Sequence, residues 1–177
     1  IGGGMLARKA LSHFDRIHKL QFQLGLSAEK IQALGFAAEQ SGSNMETMQA
    51  ILTRLKRRLG DAESTTSASA KALERLGLKI DDFANKDPAE MFFTVAKAFR
   101  ETKASAKGVS AVMQLLDTEV RGLFTMMLTE QEDLDAVMGQ TYKLNEQQLH
   151  QIARLNDMFN LLATQGLANV AKSIVDA

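Results

Sequence analysis

The chain has 177 residues, of which 45% are hydrophobic and 24% charged, as expected for one folded domain or a short series of helical units. Its 21 basic and 21 acidic residues give a formal net charge of zero. This balance argues against tight, non-specific binding to duplex DNA and against a general attraction to anionic membranes. The absence of cysteine excludes disulfides, cysteine-based zinc sites and thiol nucleophiles.

The first helix is predicted within residues 1–24. The chain starts with Ile1 and three glycines and lacks an initiator methionine, so we expect a piece of a longer product, with residues 1–24 as a linker and lead-in helix. Gly25 is the predicted stop of this helix. No run of 18 apolar residues occurs in the sequence, so no membrane span is predicted. One helical stripe contains Leu6, Ala10, Phe14, Ile17 and Leu24.

Two further helices are predicted next, and the second carries a heptad seam. The helix that follows Gly25 is expected to have Ser27 as its N-cap and to end at the Ser-Gly-Ser sequence of residues 41–43. Either Ser43 or Asn44 caps the second, and Gly60 is its predicted stop. The apolar residues of the second helix alternate spacings of three and four: Met45, Met48, Leu52, Leu55 and Leu59.

A short helix is predicted to stop at Gly77, and a clear start signal follows at Asp87. Asp87 is the expected N-cap, Pro88 occupies the first helical position, and Glu90 completes a capping box three residues after the cap. The apolar face of this helix contains Phe92, Val95, Ala96 and Phe99.

From Val109 onward the apolar residues keep heptad spacing, skipping only Glu130, which predicts a long helix ending at Gly139. Asp117-Thr118 and Gly122 are the places where this helix could bend or divide. Its apolar stripe contains Val109, Met113, Leu116, Val120, Leu123, Met127, Leu134 and Val137. Another helix is predicted to start at Asn145, and the helical period continues after Gly166.

These patterns predict an all-α fold of seven to nine helices separated by glycine stops, since strand alternation and hairpin signals are absent. A bundle within one chain and an elongated helical oligomer both satisfy the seams, because the sequence does not say where the partner helix lies. We expect self-association through the seam residues. They are Met48, Leu52, Leu55, Leu59, Met113, Leu116, Val120, Leu123 and Met127.

A basic run lies beside the first seam and consists of Arg54, Lys56, Arg57 and Arg58. The ordinary interpretation is a solvated helix surface with basic residues near the negative end of the helix dipole. The alternative is contact with the acidic surface of a partner or with nucleic acid. Aromatic residues are not interleaved with the run, which disfavours binding to single strands.

The sequence offers no recognisable catalytic, cofactor-binding or metal-binding set. His13, His18 and His150 are its only imidazoles, and the zinc-protease, phosphate-loop and nucleophile-elbow motifs are absent. The acidic clusters at 81–82 and 130–135 lack the alternating ligands of a calcium loop. We therefore expect that the chain is not an enzyme and takes no cofactor or metal.

Several motifs occur in a characteristic order. Residues 25–42 read GLSAEKIQALGFAAEQSG, and residues 52–62 read LTRLKRRLGDA. They are followed by ALERLGLKIDDF at 72–83 and KDPAEMFFTVAKAF at 86–99. This order resembles the conserved core region of phage tail tape-measure proteins. Members of that family often carry a Phe-Gly-x-x-Gly type turn, where this chain has LLDTE at 115–119.

The resemblance implies a long, mostly helical virion protein, of which a few copies lie bundled inside the tail tube. Its length would set tail length, and it would leave the tail ahead of the DNA. The implied partners are other copies of the chain, tail-tube and tail-tip or baseplate proteins, and tail assembly chaperones. The implied location is the tube lumen or tail tip of the virion, and the host cytoplasm during assembly.

On this interpretation, residues 1–24 lead in, residues 25–104 form a tape-measure-like core, and residues 105–177 form a long-helix region leading into a downstream segment. The alternative function is a helical module that binds nucleic acid or a partner protein through the basic helix at residues 54–58.

Overall fold

Eight α-helices and no strand make up the part of the chain that the structure describes. The computed structural model describes residues 2–64 and 66–139, with side chains from Ser12 onward, which confirms the all-α prediction. The helices are α1 (Gly2–Leu24), α2 (Ala28–Gln40), α3 (Met45–Asp61), α4 (Ala68–Arg75), α5 (Pro88–Glu101), α6 (Ala106–Leu116), α7 (Phe124–Leu128) and α8 (Gln131–Gly139). Two 3-10 helices occupy Ile80–Phe83 and Thr118–Leu123. The helices predicted beyond residue 139 lie outside the described residues.

The predicted caps form where the sequence places them. The side chains of Ser27 and Asn44 each accept a backbone N–H in the first turn of α2 and α3. The capping box of α5 is complete, since Asp87 accepts the N–H of Glu90 and Glu90 accepts the N–H of Asp87. Glycines with positive φ follow α1, α2 and α4, as predicted: Gly25, Gly42 and Gly77.

One predicted helix boundary is wrong, and one of the two predicted breaks in the long helix is present. α3 continues through Gly60 to Asp61, because glycine in a helix costs only about 1 kcal/mol and is no obligatory stop. The long helix predicted from Val109 divides at Asp117, which ends α6 with φ +74° and ψ 171°. A right-handed helix cannot pass through that backbone conformation. A 3-10 helix, α7 and α8 therefore replace the second half of the predicted long helix.

The apolar face of α3 lies at the centre of the core. α3 packs against α1, α2, α4, α5, α6 and the second 3-10 helix, and its Leu52 and Leu55 are fully buried. Ile17 from stretch 1–24 and Leu116 from stretch 105–177 belong to the same apolar cluster. As far as residue 139, the three predicted stretches therefore share one core. The division of the whole chain stays a prediction.

An ion pair joins the first turn of α2 to the start of α5. Lys30 Nζ donates to Asp87 Oδ2, while Asp87 Oδ1 accepts the backbone N–H groups of Ala89 and Glu90, both at 2.9 Å. Burial of the carboxylate raises the pKa of Asp87, but the Lys30 ammonium and the two N–H groups outweigh it. The pKa of Asp87 therefore lies below its ordinary value of 3.8.

We expect Leu52→Ala to lower the free energy of unfolding by about 2–5 kcal/mol, because the change leaves a cavity in a packed core. Urea denaturation followed by circular dichroism measures this loss. Lys56→Ala on the exposed face of the same helix is the matched control and should shift stability by no more than about 0.5 kcal/mol. Equal effects of the two substitutions would contradict the central placement of α3.

Asp87 should make folding sensitive to acid. Because its folded pKa is depressed, its stabilising contribution is present above its unfolded pKa and is lost as the pH falls through the folded pKa, below 3.8. Asp87→Asn keeps an N-capping side chain but removes the charge. Unfolding free energies measured from pH 6 to pH 2 should therefore fall less steeply for Asp87→Asn than for the wild type.

Candidate functional site

The first seam predicted for self-association faces the interior of its own chain. Met48, Leu52 and Leu55 are at most 1% exposed, and Leu59 is 5% exposed. α3 packs against helices on several sides, so the partner helices that a heptad seam requires lie in the same chain. The sequence left open whether this seam is covered by the same chain or by another copy, and in the structure the same chain covers it.

The second seam is likewise part of the intramolecular core. Leu116, Val120, Leu123 and Met127 are fully buried, and Met113 is half-buried against the same cluster. A second copy could reach these four side chains only if the core opened. Self-association through the nine seam residues stays a prediction, and it now requires a change of conformation.

One end of the basic run contacts acidic groups of its own chain. Arg54 Nη1 lies 2.5 Å from Glu119 Oε2 and 3.8 Å from Asp117 Oδ2. The hydrogen bond to Glu119 raises the pKa of Arg54, and the N–H of Thr118, which donates to Asp117, lowers the pKa of that carboxyl. Arg54 is therefore already paired with carboxylates of its own chain, and its contact with an outside acidic partner stays a prediction.

Arg58, at the other end of the basic run, binds the end of α6. Its Nη1 donates to the backbone oxygen of Gln114 at 2.6 Å, while Arg75 Nη1 donates to Gln114 Oε1 at 3.1 Å. The last turn of a helix leaves carbonyl groups without partners in the helix. Two arginines, one from α3 and one from α4, bind the last turn of α6. No local sequence signal predicts these contacts, because Arg58 lies 56 residues and Arg75 39 residues before Gln114 in the chain.

Lys56 and Arg57 are the members of the basic run that remain exposed. Of the four cations proposed to contact an acidic partner, Arg54 and Arg58 thus bind atoms of the same chain. Two exposed charges on a helix form a much smaller electrostatic surface than four, which weakens the nucleic-acid interpretation.

An open cavity of about 750 Å³ lies between α5 and the start of α8. Arg100 lines it, but its Nη1 donates to the backbone oxygens of Met127 at 2.8 Å and Thr129 at 3.0 Å. Lys97 is an exposed cation on this surface. The remaining lining residues are acidic, neutral polar or aromatic: Glu90, Phe93, Thr94, Glu101, Glu130 and Gln131. This is an open shelf of mixed charge.

The histidines and acidic clusters do not converge in the described residues. His13 makes an edge contact with Phe14, and His18 makes one with Phe22. His150 lies outside the described residues. Within residues 2–64 and 66–139, no group of three His, Asp or Glu side chains is placed to hold a metal ion.

Compared with protein-family models, curated proteins and solved structures, the chain shows no significant match. In the described part of the chain, no helix has the length and apolar character needed to cross a bilayer. The functional interpretation therefore depends on the residues of the chain and on its fold.

We expect Arg58→Met to lower the free energy of unfolding by about 1–3 kcal/mol, because it leaves the Gln114 carbonyl without its charged donor. Arg57→Met removes the same charge from the neighbouring exposed position and should change stability by no more than about 0.5 kcal/mol. Thermal and urea unfolding of the two variants would measure the difference. A similar loss for both would mean that the Arg58 contact does not stabilise the fold.

Proposed function

We propose that the chain is a structural segment of a phage tail tape-measure protein, with a role in assembling the tail tube, setting its length and ejecting the genome. The observation that carries the proposal is the order of the four motifs at residues 25–99. In the fold, these motifs supply consecutive helices, α2 to α5, which contribute to one core.

The residues of these motifs that carry the resemblance are residues that stabilise the fold. Gly25 and Gly77 have positive φ at helix ends, Ser27 and Asp87 are N-caps, and Leu55 is buried. A resemblance carried by caps, stops and core residues favours a shared architecture over a shared chemistry. It supports a scaffolding role and a chain that is not an enzyme.

Folding changes how this region would contribute to tail length. At about 1.5 Å per residue a fully helical chain of 177 residues would reach roughly 265 Å. The longest described helix, α1, has 23 residues and spans about 35 Å, and the helices that follow pack back on one another. In its folded form the region would therefore add little length, and we propose assembly and attachment as its main contribution.

The proposed partners are other copies of the chain, tail-tube subunits, tail-tip or baseplate proteins, and assembly chaperones. The exposed features available to them include Lys56 and Arg57 on α3, the shelf beside α5, and Phe22 on α1, whose side chain is 79% exposed. The proposed location is the tube lumen or tail tip, with the host cytoplasm as the place of assembly.

Particles produced from the genome that encodes the chain would test this proposal. Mass spectrometry of purified tailed particles should detect peptides of the chain at a few copies per tail. Their absence from intact tails would refute the virion role.

Two variants of the gene would then separate length from folding. Deletion of residues 28–139 removes the helices from α2 onward, and Leu52→Asp keeps the length while disrupting the core. An extended ruler would lose roughly 170 Å of tail on deletion and keep normal tails with Leu52→Asp. If the folded unit is required for assembly, as we expect, electron microscopy will show that both variants abolish tails. Normal tails from both variants would refute a role in assembly or length.

A further inference from the structure

Asp117 connects α6 to the following 3-10 helix in a backbone conformation that other residues rarely adopt. Its φ of +74° and ψ of 171° fall in a region populated almost only by glycine, because a side chain there meets the neighbouring backbone. Contacts hold the residue in place. Its Oδ1 accepts the N–H of Thr118 at 2.6 Å, and Arg54 of α3 lies 3.8 Å from its Oδ2. A strained residue held by its surroundings is a place where a second conformation can compete.

Residues 118–139, called the arm here, follow this strained connection. The 3-10 helix of the arm packs against α3 and α6, α7 packs against α5, and α8 packs against α2. The arm therefore binds a surface formed by residues that precede Asp117. Its side chains with at most 3% exposure are Val120, Leu123, Met126, Met127 and Leu134.

The sequence also supports a straight path through Asp117. Apolar residues keep heptad spacing from Val109 to Val137 across the strained position, skipping only Glu130, which is the pattern of one continuous helix. Straightening at Asp117 would relieve the backbone strain and carry the arm away from its own core. The arm then exposes apolar residues that need a complementary surface, and a second copy in the same state offers an identical vacant site.

We propose that Asp117 is a hinge through which two copies of the chain exchange their arms, each arm packing into the core of the other copy. The exchange is reciprocal, so it closes into a twofold dimer and does not continue into a filament. Each arm makes the same contacts in the monomer and in the dimer. The conformation of the hinge therefore has a large effect on the monomer–dimer equilibrium. The proposal requires only the fold and does not depend on the proposed virion role.

Substitutions at Asp117 test the hinge directly in the 177-residue chain. Asp117→Ala favours a helical backbone and disfavours positive φ, whereas Asp117→Gly adopts the bent conformation without strain. Both variants remove the carboxylate, so they form a matched pair. After refolding from urea at increasing protein concentration, light scattering coupled to size exclusion should show a dimerisation constant about tenfold or more higher for Asp117→Ala. Equal association of the two variants would overturn the hinge role.

A charge-reversal pair tests the exchange even if Asp117→Ala fails to fold. Arg54 and Glu119 lie on opposite sides of the hinge and contact each other. Arg54→Glu alone or Glu119→Arg alone brings like charges together at this contact. In an exchanged dimer of one chain of each variant, both contacts join opposite charges again.

We therefore expect a 1:1 mixture of the two single variants, refolded together, to form a species of twice the chain mass. Each single variant refolded alone, and the double variant with both changes in one chain, should form less of this species at the same concentration, because exchange restores no charge pair that their monomers lack. A mixture that remains monomeric would overturn the proposal. So would an equal yield of dimer from the double variant, because its charges already match within one chain.

Discussion

The buried face of α3 is the contact on which the rest of the fold depends. Helices on both sides of it in the sequence pack against it, and Leu52 and Leu55 at its centre are fully buried. A helix with apolar residues at spacings of three and four must cover that stripe to be stable in water. Here several short helices cover it together, so each one gains its stability mainly from tertiary packing and little from its own length.

Polar contacts at the ends of helices complement this core. Arg58 binds a carbonyl in the last turn of α6, and Arg100 binds two carbonyls at the end of α7. Lys30 binds the N-cap carboxylate of α5. Apolar packing alone tolerates small rotations of one helix against another, whereas a bond to a particular carbonyl or carboxylate is directional. The same contacts pair these basic side chains within the chain, so they are less available to an outside partner.

In the proposed arm exchange, intramolecular and intermolecular pairing would compete for the same apolar residues of this chain. A seam that is covered within one copy is unavailable to another copy, and the balance depends on the connections between helices. At Asp117 that connection is strained and lies between a core surface and an arm that fits it. A protein that must associate in a controlled way can use such a connection, because the folded monomer hides the surfaces until the hinge opens.

The sequence by itself determined the helical class and most helix ends, since N-caps such as Ser27 and Asp87 and stops such as Gly25 act within one turn of the backbone. It also determined which face of each helix is apolar. Only the tertiary structure decided which helices cover the α3 seam, that Arg54 and Arg58 bind within the chain, and that Asp117, of the two candidate positions, is where α6 ends. Periodicity specifies that a face must be buried, but the surface that covers it lies far away in the chain, where no local pattern encodes it.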